Sequence, residues 1–125
     1  MEIDGPSIKY KRKSEDDKQK QVISIASQER AINDAIVFTS KNKPLADFEE
    51  SQSAKEPGRP LFNTMCEMLR AGKAKYIICW QLNRLARNPV DGGAIIWLVQ
   101  SFGIKIVTPY KTYDVNDILQ MYVEF

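Results

Sequence analysis

Histidine is absent from this chain of 125 residues. A Ser-His-Asp triad, a histidine-based zinc site and acid–base catalysis by imidazole therefore cannot be built from this chain alone. Cysteine is scarce, and Cys66 and Cys79 lie in apolar patterns, the first in a predicted helix and the second in a predicted strand. We interpret both as small buried hydrophobic residues in a reducing compartment, and not as a disulfide or a metal pair.

Long apolar runs and a strong net charge are also missing. No stretch approaches the roughly 18 apolar residues of a transmembrane helix, and the N-terminus lacks a signal-peptide core, so we expect a cytoplasmic protein. The net charge is only +2, so any contact with nucleic acid must be local. The 16 Asp and Glu residues form no DxD-type cluster beside the arginines. The length suits one domain with its own core.

The residue patterns predict an α/β fold in which strands and helices alternate. Strands are expected at 7–13, 45–50, 76–80 and 104–108, and helices from Ser24 to about Lys41 or Asn42, from Pro60 to Gly72 and from Pro89 to Gly103. This order indicates three layers, with helices on both faces of a mostly parallel sheet of four to five strands. We interpret Met1–Pro6 as a loosely attached leader and Glu15–Gln21 as a mobile loop.

The last eleven residues, 115–125, are interpreted as the start of a truncated helix that follows a domain at 1–114. Ile118, Leu119, Tyr122 and Phe125 would form an apolar stripe on this helix. We expect the stripe to pack against a second copy of the chain in weak dimers, or to be poorly ordered.

Arginines recur where predicted strands pass into helices. They lie in Tyr10-Lys11-Arg12-Lys13-Ser14, in Pro57-Gly58-Arg59-Pro60 and in Leu82-Asn83-Arg84-Leu85-Ala86-Arg87-Asn88. Parallel strands end at one edge of a sheet, so we expect four arginines to converge on Ser14. Guanidinium groups bind phosphate oxygens in two-point contacts, which favours phosphoryl transfer. The alternative is that these arginines are solvated surface charges, and spacing alone does not decide between the two.

The same blocks carry a family resemblance. Tyr10 to Ser14, followed by Ser24-Ile25-Ala26-Ser27-Gln28, resembles the YxRxS…SIxxQ opening of serine recombinases. Residues 53–60 resemble the second block of that family, and residues 82–88 resemble its LDRLxRN block. The likeness extends from Ile8 to Asp114 and is closer to large serine recombinases than to small resolvases and invertases.

The resemblance implies a resolvase-like catalytic domain for site-specific DNA recombination, of bacterial, phage or mobile-element origin. Ser14 would be the nucleophile that forms a 5′-phosphoserine linkage with DNA. The phosphate-binding arginines would be Arg12, Arg59, Arg84 and Arg87, and Gln28 would support the site. The implied partners are DNA and further copies of the chain, as dimers and tetramers, with residues 115–125 as the start of the oligomerisation helix. No metal, nucleotide cofactor or membrane is implied, and we do not expect the isolated domain to be competent alone.

Asn83 departs from the family pattern, which has aspartate at this position. A second hypothesis is therefore a binding or assembly module that keeps the fold but has impaired catalysis. A third is an unrelated flavodoxin-like ligand-binding domain. For the first hypothesis, we expect alanine substitution of Arg59, Arg84 or Arg87 to reduce cleavage strongly with little loss of stability, as for surface residues.

Overall fold

A sheet of five strands organises the described part of the chain. The structure is a computed structural model that describes residues 3–13, 24–51 and 55–125. The strands are β1 (Ser7–Arg12), β2 (Ala46–Glu50), β3 (Tyr76–Ile78), β4 (Lys105–Val107) and β5 (Thr112–Tyr113). The helices are α1 (Ile25–Ala35), α2 (Pro60–Arg70), α3 (Pro89–Phe102) and α4 (Ile118–Glu124), with short 3-10 helices at Leu82–Arg84 and Val115–Asp117.

The strand order is β2-β1-β3-β4-β5, and only β5 runs antiparallel to its neighbour. Strand β1 lies between β2 and β3, and all six of its residues are buried. The expected mostly parallel sheet with helices on both faces is confirmed. Strand β5 was not predicted, because two residues are too few to show an alternating pattern.

Helices cover both faces of this sheet. On one face, α1 places Ile32 against Ile78 and Val107 in a small apolar cluster that also contains Ile3 and Ile36. On the other face, α2 and α3 pack on a larger core that includes Ile8, Tyr10, Phe62, Met65, Leu69, Ile77, Ile95, Leu98 and Ile106. Successive strand residues point to opposite faces, which is why Ile77 and Ile78 belong to different clusters.

The helix boundaries agree with the predicted capping residues except at the end of α1. Asn88 caps α3 by accepting the backbone N–H of Asp91, and Gly103 ends that helix at a φ of 68°. Helix α1 ends at Ala35, and not near Lys41 or Asn42 as expected. The side chain of Asn42 accepts the N–H of Thr39 at 2.6 Å and thereby stabilises a turn in place of further helix. None of the helices in the described ranges is long and apolar enough to span a bilayer.

The N-terminal segment is packed, so its interpretation as a loosely attached leader is wrong for residues 3–6. Ile3 is 6% exposed and belongs to the α1-side cluster. The carbonyl of Pro6 accepts the N–H of Lys75 at 2.8 Å, and the hydroxyl of Tyr76 donates to Asp4. These contacts hold the segment against the beginning of β3. Residues 1–2 and the interpreted loop at 15–21 lie outside the described residues.

Helix α4 folds back onto its own domain. Met121 is buried, and Ile118 and Phe125 pack against the larger core, while Leu119 and Tyr122 are exposed. The predicted stripe is therefore wrong in part: Ile118 and Phe125 face the core together with Met121, which was not predicted, whereas Leu119 and Tyr122 lie outside the buried face. The ring of Phe125 lies so close to Gly92 of α3 that a Cβ there would come within 2.6 Å of the Phe125 Cβ.

Both cysteines are buried, as predicted. Cys66 is 3% exposed and Cys79 is fully buried. Burial raises the pKa of the Cys66 thiol to about 11 and that of Cys79 further. Both thiols are therefore protonated at neutral pH and act as apolar side chains.

Candidate active site

The 3-10 helix Leu82–Arg84 follows β3 at the carboxyl edge of the sheet and forms the centre of the candidate site. Its backbone hydrogen bonds join residues three apart, and the N–H of Leu85 donates to the Leu82 carbonyl at 2.9 Å. A helix end leaves its last carbonyls without partners inside the helix. Two arginines from neighbouring elements supply donors to the carbonyls of residues 83–85.

Arg12 is the first of these donors and the last residue of β1. Its side chain is fully buried. Its Nε donates to the carbonyl of Arg84 at 3.2 Å, and its Nη2 donates to the carbonyl of Asn83 at 3.2 Å. Arg12 thus joins the end of β1 to the segment that carries Asn83 and Arg84.

Arg59 is the second donor and precedes the first residue of α2. Its Nη1 donates to the Tyr10 hydroxyl at 3.0 Å, and its Nη2 donates to Leu85 O and lies 3.1 Å from Asp91 Oδ2. The guanidinium carbon is 4.1 Å from the ring centroid of Phe62. Arg59 is 1% exposed, so it is an interior ion-pair member.

Glu50, at the end of β2, extends this buried network. Its carboxylate accepts the Tyr10 hydroxyl and the backbone N–H groups of Leu61 and Phe62, at 2.9 and 3.2 Å for the two N–H groups. Those N–H groups lie in the first turn of α2, where a negative charge is favourable. Burial raises the pKa of Tyr10, so its hydroxyl keeps the proton that it donates.

Asp91, in the first turn of α3, closes the network. Its Oδ2 accepts the side-chain amide of Asn88 at 2.9 Å and faces Arg59. The sequence interpretation did not include Tyr10, Glu50, Asn88 or Asp91 among the functional residues. Tyr10 and Asn88 lie inside the quoted sequence blocks, whereas nothing in the sequence marks Glu50 or Asp91 as partners of Arg59.

Gln28 of α1 holds the end of β1. Its Nε2 donates to the carbonyl of Arg12 at 2.8 Å, and its Oε1 accepts the N–H of Arg12 at 3.4 Å. The pairing of β1 with β3 extends only from Ser7 to Lys9. Arg12 lies beyond that pairing, so the buried amide of Gln28 serves both of its backbone groups where β3 has ended.

The remaining predicted residues lie on or near the 3-10 helix. Arg84 is 6% exposed, and its guanidinium carbon lies 5.1 Å from a ring centroid of Trp80. Asn83 is half-buried, and its Oδ1 is buried without a hydrogen-bond donor among the described residues. Arg87 is half-buried in the turn before α3. Ser14 lies outside the described residues.

The structure therefore brings Arg12, Arg59 and Arg84 together around residues 82–85. The expectation that Arg59 and Arg84 are surface residues is wrong, because both are more than nine-tenths buried. For Arg59 the physical reason is the supply of buried acceptors, the Leu85 carbonyl and the Asp91 carboxylate, whereas the Arg84 guanidinium lies against the Trp80 ring.

Two other features mark the limits of this site. Within residues 3–13, 24–51 and 55–125, no group of three or more Cys, Asp or Glu residues could hold a metal ion. A cavity of about 190 Å³ adjoins the 3-10 helix and is lined by Gln81, Leu82, Thr108, Tyr110, Tyr113 and Glu124. None of the predicted arginines lines it, so the candidate site is the arginine-rich edge beside the cavity.

Comparisons with known proteins agree with this fold. The structure is similar to the C-terminal catalytic domain of ISC1926 TnpA, an IS607-like serine recombinase (16% identity, TM-score 0.64), covering 95% of this chain and 76% of that one. It is also similar to the N-terminal catalytic domain of TP901-1 integrase (13%, 0.67, covering 95% and 90%). A third similar structure is a resolvase family site-specific recombinase from Streptococcus pneumoniae (21%, 0.65, covering 95% and 82%).

The family comparison covers almost the whole chain. A family profile described as "Resolvase, N terminal domain" matches residues 7–122. The predicted resemblance to serine recombinases is thereby confirmed, and the match includes both the arginine-rich edge and most of α4. The chain belongs to the resolvase N-terminal domain family.

Proposed function

We propose that this chain is the catalytic domain of a site-specific DNA recombinase and that Ser14 is its nucleophile. The Ser14 hydroxyl loses its proton as its oxygen attacks a DNA phosphorus, a P–Oγ bond forms, and the P–O3′ bond breaks. The departing strand leaves as a 3′-hydroxyl that has gained a proton, and the 5′ end stays on the protein as a phosphoserine ester. A 3′-hydroxyl then attacks this ester, which rejoins DNA and restores the serine.

The observation that carries this proposal is that arginines from several elements meet at one edge of the sheet. One of them, Arg12, precedes Ser14 by two residues in the sequence. A phosphodiester is an anion that repels a nucleophile, so its negative charge must be neutralised while the attacking oxygen bonds to phosphorus. Arg12 and Arg59 anchor the segment 82–85 through its carbonyls. We assign Arg84 and Arg87, on and just after that segment, to the non-bridging phosphate oxygens, with Arg12 and Arg59 adding positive charge close by.

The test is a covalent-adduct assay on a fusion of this chain to the DNA-binding part of a related serine recombinase. The fusion supplies the DNA affinity that a net charge of +2 does not provide. The expected product is a protein–DNA adduct at the 5′ end beside a 3′-hydroxyl that a polymerase extends. The Ser14→Ala fusion should form none, and Ser40→Ala, which alters an exposed serine outside the site, should behave as the parent. Adducts that persist in Ser14→Ala would overturn the assignment.

A second candidate function follows from Asn83. An amide stands where the family has a carboxylate, and its Oδ1 is buried without a donor in the described part of the chain. The domain would then be a binding or assembly module with impaired cleavage. Under this alternative the parent fusion forms no adduct and Asn83→Asp restores it. Equal adduct formation by the parent and Asn83→Asp would exclude the alternative.

A further inference from the structure

Two lysines on the α1 side of β1 are buried. Lys9 is 6% exposed and Lys11 is 1% exposed, and both point away from the face that carries Tyr10. Lysine is almost never fully buried without an ionic partner. Here the shared partner is Glu29 of α1, whose Oε1 lies 2.7 Å from Lys9 Nζ and whose Oε2 accepts the ammonium of Lys11.

This arrangement fixes α1 in two directions. The two lysines are two residues apart, which is about 6.6 Å along a strand, and one carboxylate bridges them. Such a bridge defines the position of the helix along β1 and its rotation about its own axis. The apolar contact of α1 with the sheet is small in comparison, because Ile32 is the only fully buried apolar residue within this described helix.

The preceding residue of the helix connects this bridge to the candidate active site. Gln28 precedes Glu29 and bonds to both backbone groups of Arg12. The side chain of Arg12 in turn holds the carbonyls of Asn83 and Arg84. A shift of α1 along β1 would therefore move the amide of Gln28 away from the end of the strand.

We propose that Glu29, through its bridge to Lys9 and Lys11, is a positioning residue that sets Gln28 on the backbone of Arg12 and so orders the arginine-rich edge. This proposal rests on the proposed function for its catalytic consequence, but its structural part stands on the described contacts alone. The lysines of this bridge are buried and Glu29 is half-buried, and replacing buried charges of this kind by apolar side chains of similar volume is often neutral for stability. The advantage of the bridge over apolar packing is a defined geometry, which is what a phosphoryl-transfer site needs.

The decisive variant replaces the three charges of the bridge at once, as Lys9→Met, Lys11→Met and Glu29→Met, and leaves the exposed carboxylates of Asp47 and Glu49, which lie 3.1 and 3.3 Å from Lys11 Nζ, in place. The urea midpoint should not fall, because the apolar replacement buries no unpaired charge. Amide hydrogen exchange at Arg12 should nevertheless accelerate by about tenfold relative to the amides of β3, because α1 loses its fixed position. In the fusion, formation of the Ser14 adduct should slow by about 100-fold.

Two single variants complete the experiment. Glu29→Gln keeps the size and removes the charge, and it should accelerate exchange at Arg12 in the same way. Asp34→Asn removes an exposed carboxylate from the same helix and should match the parent in exchange and cleavage. Parental exchange at Arg12 in both the triple variant and Glu29→Gln would overturn the proposal. If the parent fusion forms no Ser14-dependent adduct, the proposed function fails, while exchange at Arg12 still decides the positioning role.

Discussion

Removing Asp91 should destabilise the protein strongly, because it leaves a buried arginine without its carboxylate partner. The side chains of Arg59 and Asp91 are 1% and 5% exposed and lie 3.1 Å apart. Breaking such a pair from one side costs roughly 3–5 kcal/mol. The Tyr10 hydroxyl links Arg59 to the carboxylate of Glu50, whose negative charge compensates in part for the lost charge of Asp91. Asp91→Ala should therefore lower the free energy of unfolding by about 3 kcal/mol. For a chain of this size that is a fall in Tm of about 12 °C.

Urea and thermal unfolding of three variants test this reasoning. Asp91→Ala should show the full loss, and Arg59→Met should also destabilise because Asp91 is then left unpaired. The double variant Arg59→Met with Asp91→Leu should be more stable than either single variant, since neither member of this ion pair is left buried without the other. The reasoning is refuted if Asp91→Ala unfolds within about 0.5 kcal/mol of the parent, the range of ordinary surface substitutions. It is also refuted if the double variant loses the sum of the single losses.

Three further predictions concern other parts of the chain. Burial would raise the pKa of Glu29, but its hydrogen bonds from Lys11 and Lys9 lower it to about 2. The contribution of Glu29 to the free energy of unfolding is therefore present above pH 4.5 and is lost as the pH falls towards 2. In Glu29→Gln, stability measured over the same pH range should not show this loss. Gly92→Ala should displace Phe125 and accelerate hydrogen exchange in α4, whereas Gly93→Ala, with nothing within 4 Å of its Cβ position, should not. The bare chain should bind DNA weakly and without sequence preference. The logarithm of its binding constant should fall with the logarithm of salt concentration with a slope of roughly 0.9 per phosphate contacted. Tight, selective binding in a filter assay would contradict this.

The order of the four parallel strands and of the helices could be predicted because each of these elements carries a local signal. Pro60 and Pro89 begin helices, Gly103 ends one, and the apolar run from Tyr76 marks a buried strand. The end of α1 and the packing of α4 could not be predicted in the same way. The first depends on a side-chain bond from Asn42, and the second on a glycine in α3 that leaves room for Phe125.

Strand β1 shows where local pattern and tertiary context disagree. Alternation of Ile8, Tyr10 and Arg12 with lysines is typical of a strand that has one solvent-exposed face. The structure buries both faces, because β1 lies between β2 and β3 and α1 brings Glu29 over the lysines. The ionic partner is about twenty residues away in sequence, so no local period could reveal it.

The arginines raise the same difficulty for the candidate site. A pattern shows where a guanidinium enters the fold but not how its five N–H donors are used. In Arg59 three contacts go to Tyr10, Leu85 and Asp91, and Nε is buried without a partner among the described residues. These contacts leave few donors of Arg59 for a phosphate, so under the proposed function Arg59 would act on a bound anion mainly through its charge and through the backbone segment that it holds. Stability and cleavage should fall together when Arg59 is lost, because one side chain serves both.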